Sequence, residues 1–331
     1  MTQATPGGVG KAPERDALID ALKFFAIALV VLGHVLSLPR FLHVAGPVYY
    51  ALAAFEMPLF AALSGFVLFG REGASPVRFL WKKFLVLMVP YFSWTLIRMV
   101  VERTPPSQWT WYLYVLFLFY FLFAAIRALS KRDIALVVAA LAVAALFVVP
   151  GGDLFVRLNI QRLFPYFIGG YLWAKHRPQL ARVQGVAVAV VSGVAFALLV
   201  WFDYNGSTQP PHWYTMPLRE AVATRPIPVI YFLGAVSIYL LAISGVVCSW
   251  ASFSLLPQRL LRVLAVPGRA SLGIYVVHSW LLAFPLGVGV GGVVLTWGFV
   301  VAGSWLATLA IQRVPVAREL LLGQWRALPR G

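Results

Sequence analysis

The stretch ERDALIDALKFFAIALVVLGHVLSLPR, residues 14–40, places one histidine inside an apolar run long enough to cross a membrane. Between residues 24 and 38 only His34 is strongly polar. A histidine in a membrane span is energetically unfavourable, so it usually faces a bundle interior, a water-filled cavity or a partner side chain. His34 therefore predicts a polar interior around this helix.

The spacing of the other polar residues in this stretch is regular. An α-helix turns about 100° per residue, so Lys23 and His34 lie about 20° apart around the axis and about 16 Å apart along it. Asp16 and Asp20 fall close to the same line. The sequence thus predicts one polar stripe on an otherwise apolar helix, running from the water edge inward.

Composition places the whole chain in a membrane. Of 331 residues, 61% are hydrophobic and 11% are charged, whereas soluble domains carry about 25% charged residues. Apolar runs of spanning length recur from end to end. We predict an all-α, polytopic membrane helix bundle of about ten transmembrane helices, near residues 20–38, 47–69, 80–101, 109–128, 132–150, 160–175, 184–202, 226–249, 267–285 and 290–312.

The net charge of +16 follows the membrane topology. With the N-terminus inside, most of the 27 lysines and arginines fall in loops on the inner side, as the positive-inside rule requires. The basic residues form no single patch, so nucleic acid is not an expected partner. The lipid bilayer is the expected partner of this chain. We predict a multi-pass protein of the cell (plasma or inner) membrane with both termini cytoplasmic.

Three segments are predicted from these patterns. Residues 1–15 form a disordered cytoplasmic tail, residues 16–313 form the transmembrane domain, and residues 314–331 form a basic amphipathic tail on the cytoplasmic membrane surface. The first apolar run is interpreted as a retained span and not a signal peptide, because acidic residues precede it and no small-residue cleavage site follows before Pro39.

Two ionisable residues inside spans are candidates for chemistry. His34 can act as a general base on a hydroxyl or accept an acyl group itself, or it can bond a neighbouring helix for structure alone. Glu56 lies well inside the second span, where a carboxylate must be neutral or paired. It can orient His34, or form an interhelix salt bridge with Arg162 or Arg98.

Basic residues at the inner edge are candidates for binding an anion. Lys23 can bind an anionic group near the cytoplasmic face, or extend to the interface or pair with Asp20. Arg78, Lys82 and Lys83 share one cytoplasmic edge and can hold a nucleotide or pyrophosphate. Positive-inside topology alone would also place them there.

A third group of polar residues lies later in the chain. Ser271, Tyr275 and His278 share a helix face and can line a polar cavity or bond between helices. Arg162, at the outer end of the sixth span, can contact a polar substrate or only the membrane interface. Ser64-Gly65 is interpreted as a close helix-packing site and not as a nucleophile.

Several classes of site are not indicated. The chain has no P-loop, no dinucleotide-binding G-x-G-x-x-G, no H-E-x-x-H and no G-x-S-x-G. Its five histidines show no metal-ligand spacing, and its single cysteine excludes a disulfide within the chain. We predict no metal and no bound cofactor.

The motifs together resemble the acyltransferase 3 family of integral-membrane O-acyltransferases, in particular its fucose 4-O-acetylase-like branch. The family's first-span motif is an arginine or lysine, ten residues, then histidine, which Lys23 and His34 match. The blocks that resemble the family are ALIDALKFFAIALVVLGHV (17–35), FEMPLFAALSGFVLF (55–69), WTWYLYVLFLFYF (109–121), LFPYFIGGYLWAK (163–175) and ASLGIYVVH (270–278).

The chain departs from the family pattern at two places. Many relatives have histidine before Met-Pro-Leu-Phe, where this chain has Glu56. The family often shows two arginines spaced by three before the third-span Pro-Tyr, and here the region carries Arg78, Lys82 and Lys83 before Pro90. Basic charge is retained, but no family role carries over to these four positions, and the roles predicted for them rest on their places in the spans alone.

The resemblance implies transfer of an acyl group, acetyl being favoured, from cytoplasmic acyl-CoA as co-substrate to a hydroxyl of an envelope or exported glycan or glycolipid. His34 would be base or acyl carrier, with Glu56 as the second catalytic residue. Lys23, Arg78, Lys82 and Lys83 would bind the donor, and Arg162, Tyr275 and His278 the acceptor. Alternatives are a transporter or flippase for a lipid-linked or small polar substrate, or a sensor or scaffold without turnover.

Overall fold

The computed structural model describes residues 16–71, 75–103, 110–145, 155–177, 185–204 and 228–325. The predicted tail 1–15 and the last six residues lie outside these ranges. Within them all regular structure is helical. The helices are α1 Ala17–Leu36, α2 Leu42–Leu68, α3 Pro76–Lys83, a π-helical turn Phe84–Met88, α4 Val89–Glu102, α5 Trp111–Leu129, α6 Asp133–Ala145, α7 Phe155–Lys175, α8 Val186–Asp203, α9 Pro228–Ser254, α10 Gln258–Gly268, α11 Ser271–Leu281, α12 Gly289–Arg313 and α13 Pro315–Leu322, with a short 3₁₀ turn at Pro39–Phe41.

The all-α prediction is confirmed for the described residues, and the protein is a multi-pass membrane protein. Six helical stretches there are long and apolar enough to cross a membrane, or seven if the bent pair α10 and α11 forms one span. Two further apolar helices, α6 and α8, are shorter. Each of the ten predicted spans overlaps a helix, but the count of ten and the orientation of the termini stay predictions.

The predicted ninth span, 267–285, is broken near its start. The axes of α10 and α11 differ by 60° across the two residues between them. Pro267 removes a backbone donor and Gly268 removes a side chain at the end of α10, which together favour a break. An added Cβ at Gly268 would overlap the carbonyl of Asp20 on α1. The bend therefore lets α10 pack closely against the first helix.

Helix α1 lies at the centre of the bundle. It is the most buried of the six long apolar stretches, and it packs against α2, α9, α10, α11 and α12. Ala21, Ala26 and Val31 on this helix are fully buried. Because protein surrounds α1, its polar residues meet other helices instead of lipid.

Helices α2 and α7 cross at two glycines. An added Cβ at Gly65 would overlap the carbonyl of Phe167, and one at Gly170 would overlap the carbonyl of Ala62. Small residues at such crossings let helix backbones approach closely in a membrane. The interpretation of Ser64-Gly65 as a packing site is confirmed for the glycine.

We expect Gly170→Ala to destabilise the protein by about 1–3 kcal/mol, because the new methyl group meets backbone that cannot move aside without separating the helices. The matched control is Gly169→Ala in the same turn, where the added Cβ has no atom within 4 Å. The control should be neutral or slightly stabilising, since alanine favours helix over glycine. Thermal unfolding of both variants in detergent measures the difference, and equal midpoints would contradict the prediction.

The C-terminal helix α13 packs against α4. Leu322, its last residue, is buried, whereas Val316 and Leu320 are exposed. The segment predicted to lie on the membrane surface therefore contains a helix that also contacts the interior of the bundle.

Candidate functional site

The first turns of α1 carry a connected set of charges. Asp16 caps the helix by accepting a hydrogen bond from the backbone N–H of Leu18 at 3.0 Å, and its other oxygen lies 3.0 Å from Nη1 of Arg177. The Nζ of Lys23 donates to Oδ1 of Asp20 at 3.1 Å. Arg269 Nε lies 3.7 Å from Oδ2 of the same aspartate. The pairing of Lys23 with Asp20 is thus present, and it leaves further donors on the ammonium group.

Lys23 also lines a cavity of about 270 Å³ between α1, α2, the π-helical turn, α5 and α11. The lining is mainly apolar. Its polar side chains are those of Lys23, Ser64, Tyr112, Tyr120, Ser271 and Tyr275. Two of the three residues predicted to share a face of α11, Ser271 and Tyr275, therefore do line one cavity.

Two hydrogen bonds that involve hydroxyl groups lie along the cavity wall. Tyr275 OH accepts from the backbone N–H of Tyr112 at 3.1 Å, and Tyr112 OH lies 3.3 Å from Ser64 Oγ. Tyr112 and Tyr120 were not predicted as site residues. Two hydroxyl groups eight residues apart in the apolar helix α5 were the available signal.

The third predicted residue of that face, His278, connects the cavity wall to His34. Its Nδ1 lies 2.6 Å from the carbonyl oxygen of Tyr275. A carbonyl only accepts, so Nδ1 carries the proton and Nε2 presents a lone pair. This Nε2 is buried and has no hydrogen-bond partner among the described residues. The rings of His278 and His34 lie side by side, with centroids 5.2 Å apart and planes tilted by 32°.

Glu56 lies against α1 at the residue before His34. An added Cβ at Gly33 would be 2.9 Å from Oε2 of Glu56, so only glycine admits the carboxyl group there without a shift. This Oε2 is buried without a hydrogen-bond partner in the described part of the chain. The two predicted catalytic residues are therefore neighbours in the structure.

Of the two arginines considered as partners for Glu56, Arg162 is the one beside it. Its Nη2 donates to the carbonyl of Ala53 at 2.7 Å, about one turn before Glu56. Arg98 instead binds Ser279 Oγ at 2.6 Å through Nη2.

Two further contacts hold Arg98 against Ser279, the residue that follows His278 in the chain. Its Nη1 lies 3.2 Å from Oε1 of Glu102, and its guanidinium carbon lies 4.8 Å from the ring centroid of Trp280. Only 4% of the surface of Arg98 is exposed. It is therefore a buried arginine whose partner, Ser279, is adjacent in sequence to His278.

Arg78, Lys82 and Lys83, the three basic residues predicted to lie at the cytoplasmic edge, are placed differently from one another. The Nζ of Lys83 lies 3.9 Å from the ring centroid of Tyr120, a cavity residue. Arg78 is exposed at the start of α3, and Lys82 is partly buried. The structure thus brings one of the three to the cavity wall.

The chain is similar in sequence to known proteins over most of its length. The sequence model of the acyltransferase domain of the acyltransferase 3 family matches residues 16–311. The nodulation protein NolL of Sinorhizobium fredii (strain NBRC 101917 / NGR234) is 25% identical to this chain, with 81% of this chain and 78% of NolL covered. No solved structure matches significantly. Because the family match extends over most of the chain and includes every helix that contributes to the cavity and the histidine pair, the protein belongs to the acyltransferase 3 family of membrane acyltransferases.

Proposed function

We propose that this protein transfers an acyl group, with acetyl favoured, from cytoplasmic acyl-CoA to a hydroxyl group of an envelope or exported glycan. The family supports acyl transfer. The observation that carries the proposal is a series of neighbouring residues: Lys23 and Tyr275 line the cavity, the Tyr275 carbonyl lies beside Nδ1 of His278, and the His278 ring lies beside His34. These neighbours connect the Lys23 end of α1 to His34.

The size of the cavity suits part of the donor. Pockets for small molecules usually measure about 300–1,000 Å³, and this one measures about 270 Å³. A narrow, mainly apolar cavity fits the flexible arm and thioester of acyl-CoA better than it fits a whole nucleotide. The nucleotide would stay at the cytoplasmic edge with Arg78, Lys82 and Lys83, and Lys23 would bind an anionic or carbonyl oxygen at the cavity mouth.

His34 would act as general base on the acceptor hydroxyl. The hydroxyl oxygen attacks the thioester carbonyl, a C–O bond forms, the C–S bond breaks, and the proton taken by His34 passes to the departing CoA thiolate. In the carrier form of the reaction, the imidazole nitrogen attacks first, the C–S bond breaks, and the imidazole proton passes to the departing CoA thiolate. The hydroxyl oxygen then attacks the acyl-imidazole, the C–N bond breaks, and the hydroxyl proton returns to the imidazole. Imidazole suits both, since it exchanges protons near neutral pH.

The neighbours of His34 support this chemistry. His278 presents a lone pair on Nε2 and can receive a proton from His34 through a bound hydroxyl or water. Glu56 packs against the backbone of α1 beside His34 and can hold the position of the ring, as carboxylates do for catalytic imidazoles. Arg98, which is paired with Glu102 and donates to Ser279 Oγ, would fix the position of the residue that follows His278.

The acceptor would bind where α2, on the side that Glu56 presents to α1, packs against α7. Oε2 of Glu56 and Oε1 of Gln161 are buried there without hydrogen-bond partners among the described residues. Hydroxyl groups of a sugar would satisfy both, because buried acceptors need donors. Arg162, which follows Gln161 in the chain and donates to the carbonyl of Ala53 on α2, would position the same sugar.

Mass spectrometry of envelope glycans and lipids from cells with and without the gene tests the proposal. We expect one glycan species to lose the mass of a single acetyl group in the deletion strain, and the intact gene to restore it. A deletion strain with unchanged acylation but altered distribution of a glycan across the membrane would replace the proposal with a transporter or flippase.

A further inference from the structure

A π-helical turn interrupts the third long apolar stretch where it borders the cavity. Residues Phe84–Met88 form the turn, and Val86 and Leu87 within it line the cavity. Such turns are rare and often occur at functional sites. One π-turn adds a residue relative to an α-helix, so it rotates the helix before it by about 100° against the helix after it. It therefore sets where Lys83 points relative to Arg98.

The turn leaves one carbonyl without a donor in its own helix. In a π-helix each carbonyl accepts from the N–H five residues later, and Val89 N–H does bond the carbonyl of Phe84. For Leu85 the residue five later is Pro90, which has no N–H. An unpaired carbonyl at membrane depth is strongly unfavourable, because no water is present there to bond it.

The missing donor comes from the C-terminal segment, defined here as residues 315–325. Trp325 Nε1 donates to the carbonyl of Leu85 at 3.0 Å. Gly323, at φ 63°, packs on Val86, and an added Cβ there would overlap the Val86 carbonyl. Trp94 Nε1 donates to the carbonyl of Leu321 at 2.9 Å and anchors the segment on α4.

We propose that the C-terminal segment is a positioning element of the donor cavity, in which the Trp325 indole holds the π-helical turn in the form that places Leu87 on the cavity wall. The proposal rests on the proposed function in taking the cavity as the acyl-CoA site. Trp325 touches the outside of the wall and acts on the donor only through residues 84–88, so it is a positioning residue. Without its N–H the turn loses the partner that favours it over other helical registers.

The first test uses Trp325→Phe in the full-length protein in lipid nanodiscs, which keeps an aromatic ring and removes the donor. We expect the Kd for acetyl-CoA to rise about tenfold, as for a lost hydrogen bond to a buried carbonyl. The matched control is Trp201→Phe on α8, where the tryptophan is 79% exposed and binding should be unchanged. Equal Kd values for both variants and the wild type would overturn the proposal. A wild type that binds no acetyl-CoA would refute the proposed function itself.

A second measurement separates positioning from general destabilisation. Leu87→Cys in a Cys248→Ser background gives a thiol on the cavity wall, and CoA should slow its labelling by a small maleimide. We expect Trp325→Phe to remove this protection. Protection by CoA that is the same with and without the Trp325 N–H would overturn the proposal, even if the variant were less stable.

Discussion

Replacing His34 with alanine is expected to lower the rate of acyl transfer by about 10²–10⁴-fold, the usual contribution of a general acid–base group. The imidazole lies on the central helix, next to His278 and one residue from the Glu56 contact. Helix α1 contains no second histidine that could replace it. Acyl transfer from labelled acetyl-CoA to isolated envelope glycans, measured at matched protein amounts, checks the rate.

The control for this variant is His43→Ala. His43 is exposed near the start of α2, so its loss should leave transfer and thermal stability unchanged. If the His34 variant expresses well, unfolds at the wild-type temperature and still acylates the glycan, His34 is not the base. Formation of an acyl-protein without acceptor, present in wild type and absent in the variant, would identify the carrier form of the reaction.

Lys23→Met is expected to raise the Kd for acetyl-CoA about 10- to 150-fold. Hydrogen bonds to charged groups contribute about 1.5–3 kcal/mol, and each 1.4 kcal/mol is about tenfold in affinity. Methionine keeps much of the length and packing of the stem while removing the charge. Lys23→Arg should retain binding, because the guanidinium keeps both charge and donors at the cavity mouth. Isothermal titration with the full-length protein in nanodiscs measures all three proteins.

Asp20→Asn distinguishes the two roles of Lys23. If the lysine only pairs with Asp20 at 3.1 Å, the aspartate variant should lose as much as the lysine variant. If the lysine binds the donor, removing the neighbouring negative charge should preserve or strengthen binding of the anionic CoA. Equal loss of affinity in Asp20→Asn and Lys23→Met would contradict a donor-binding role.

Much of the fold follows from periodicity and hydropathy. Each predicted span overlaps a helix because a membrane span needs about 20 apolar residues and leaves that signature in the sequence. The polar stripe on α1 follows from helical geometry alone, and the pairing of Lys23 with Asp20, one of the alternatives for that lysine, is present. The break before α11 was missed, since Pro267-Gly268 also occurs in continuous kinked helices, and packing against α1 decides between the two.

Only part of the candidate site can be predicted from the sequence. The histidine in an apolar helix, together with its spacing from Lys23, indicated that the site lies along α1. The approach of His278 to His34 joins residues 244 positions apart, which no local pattern encodes. Glu56 had two arginines as candidate partners, and only the crossing of α2 with α7 selects Arg162.

By itself, the sequence determined that the chain is a membrane helix bundle with a polar, ionisable first helix, because bilayer thickness and helical pitch leave signals within 20 residues. The tertiary structure decided which of the polar residues meet. It placed α1 at the centre, formed the cavity from five elements, and supplied the Leu85 carbonyl with a donor from Trp325. These contacts depend on how distant helices cross, and helix crossing is determined by the packing of whole surfaces, not by any one stretch of chain.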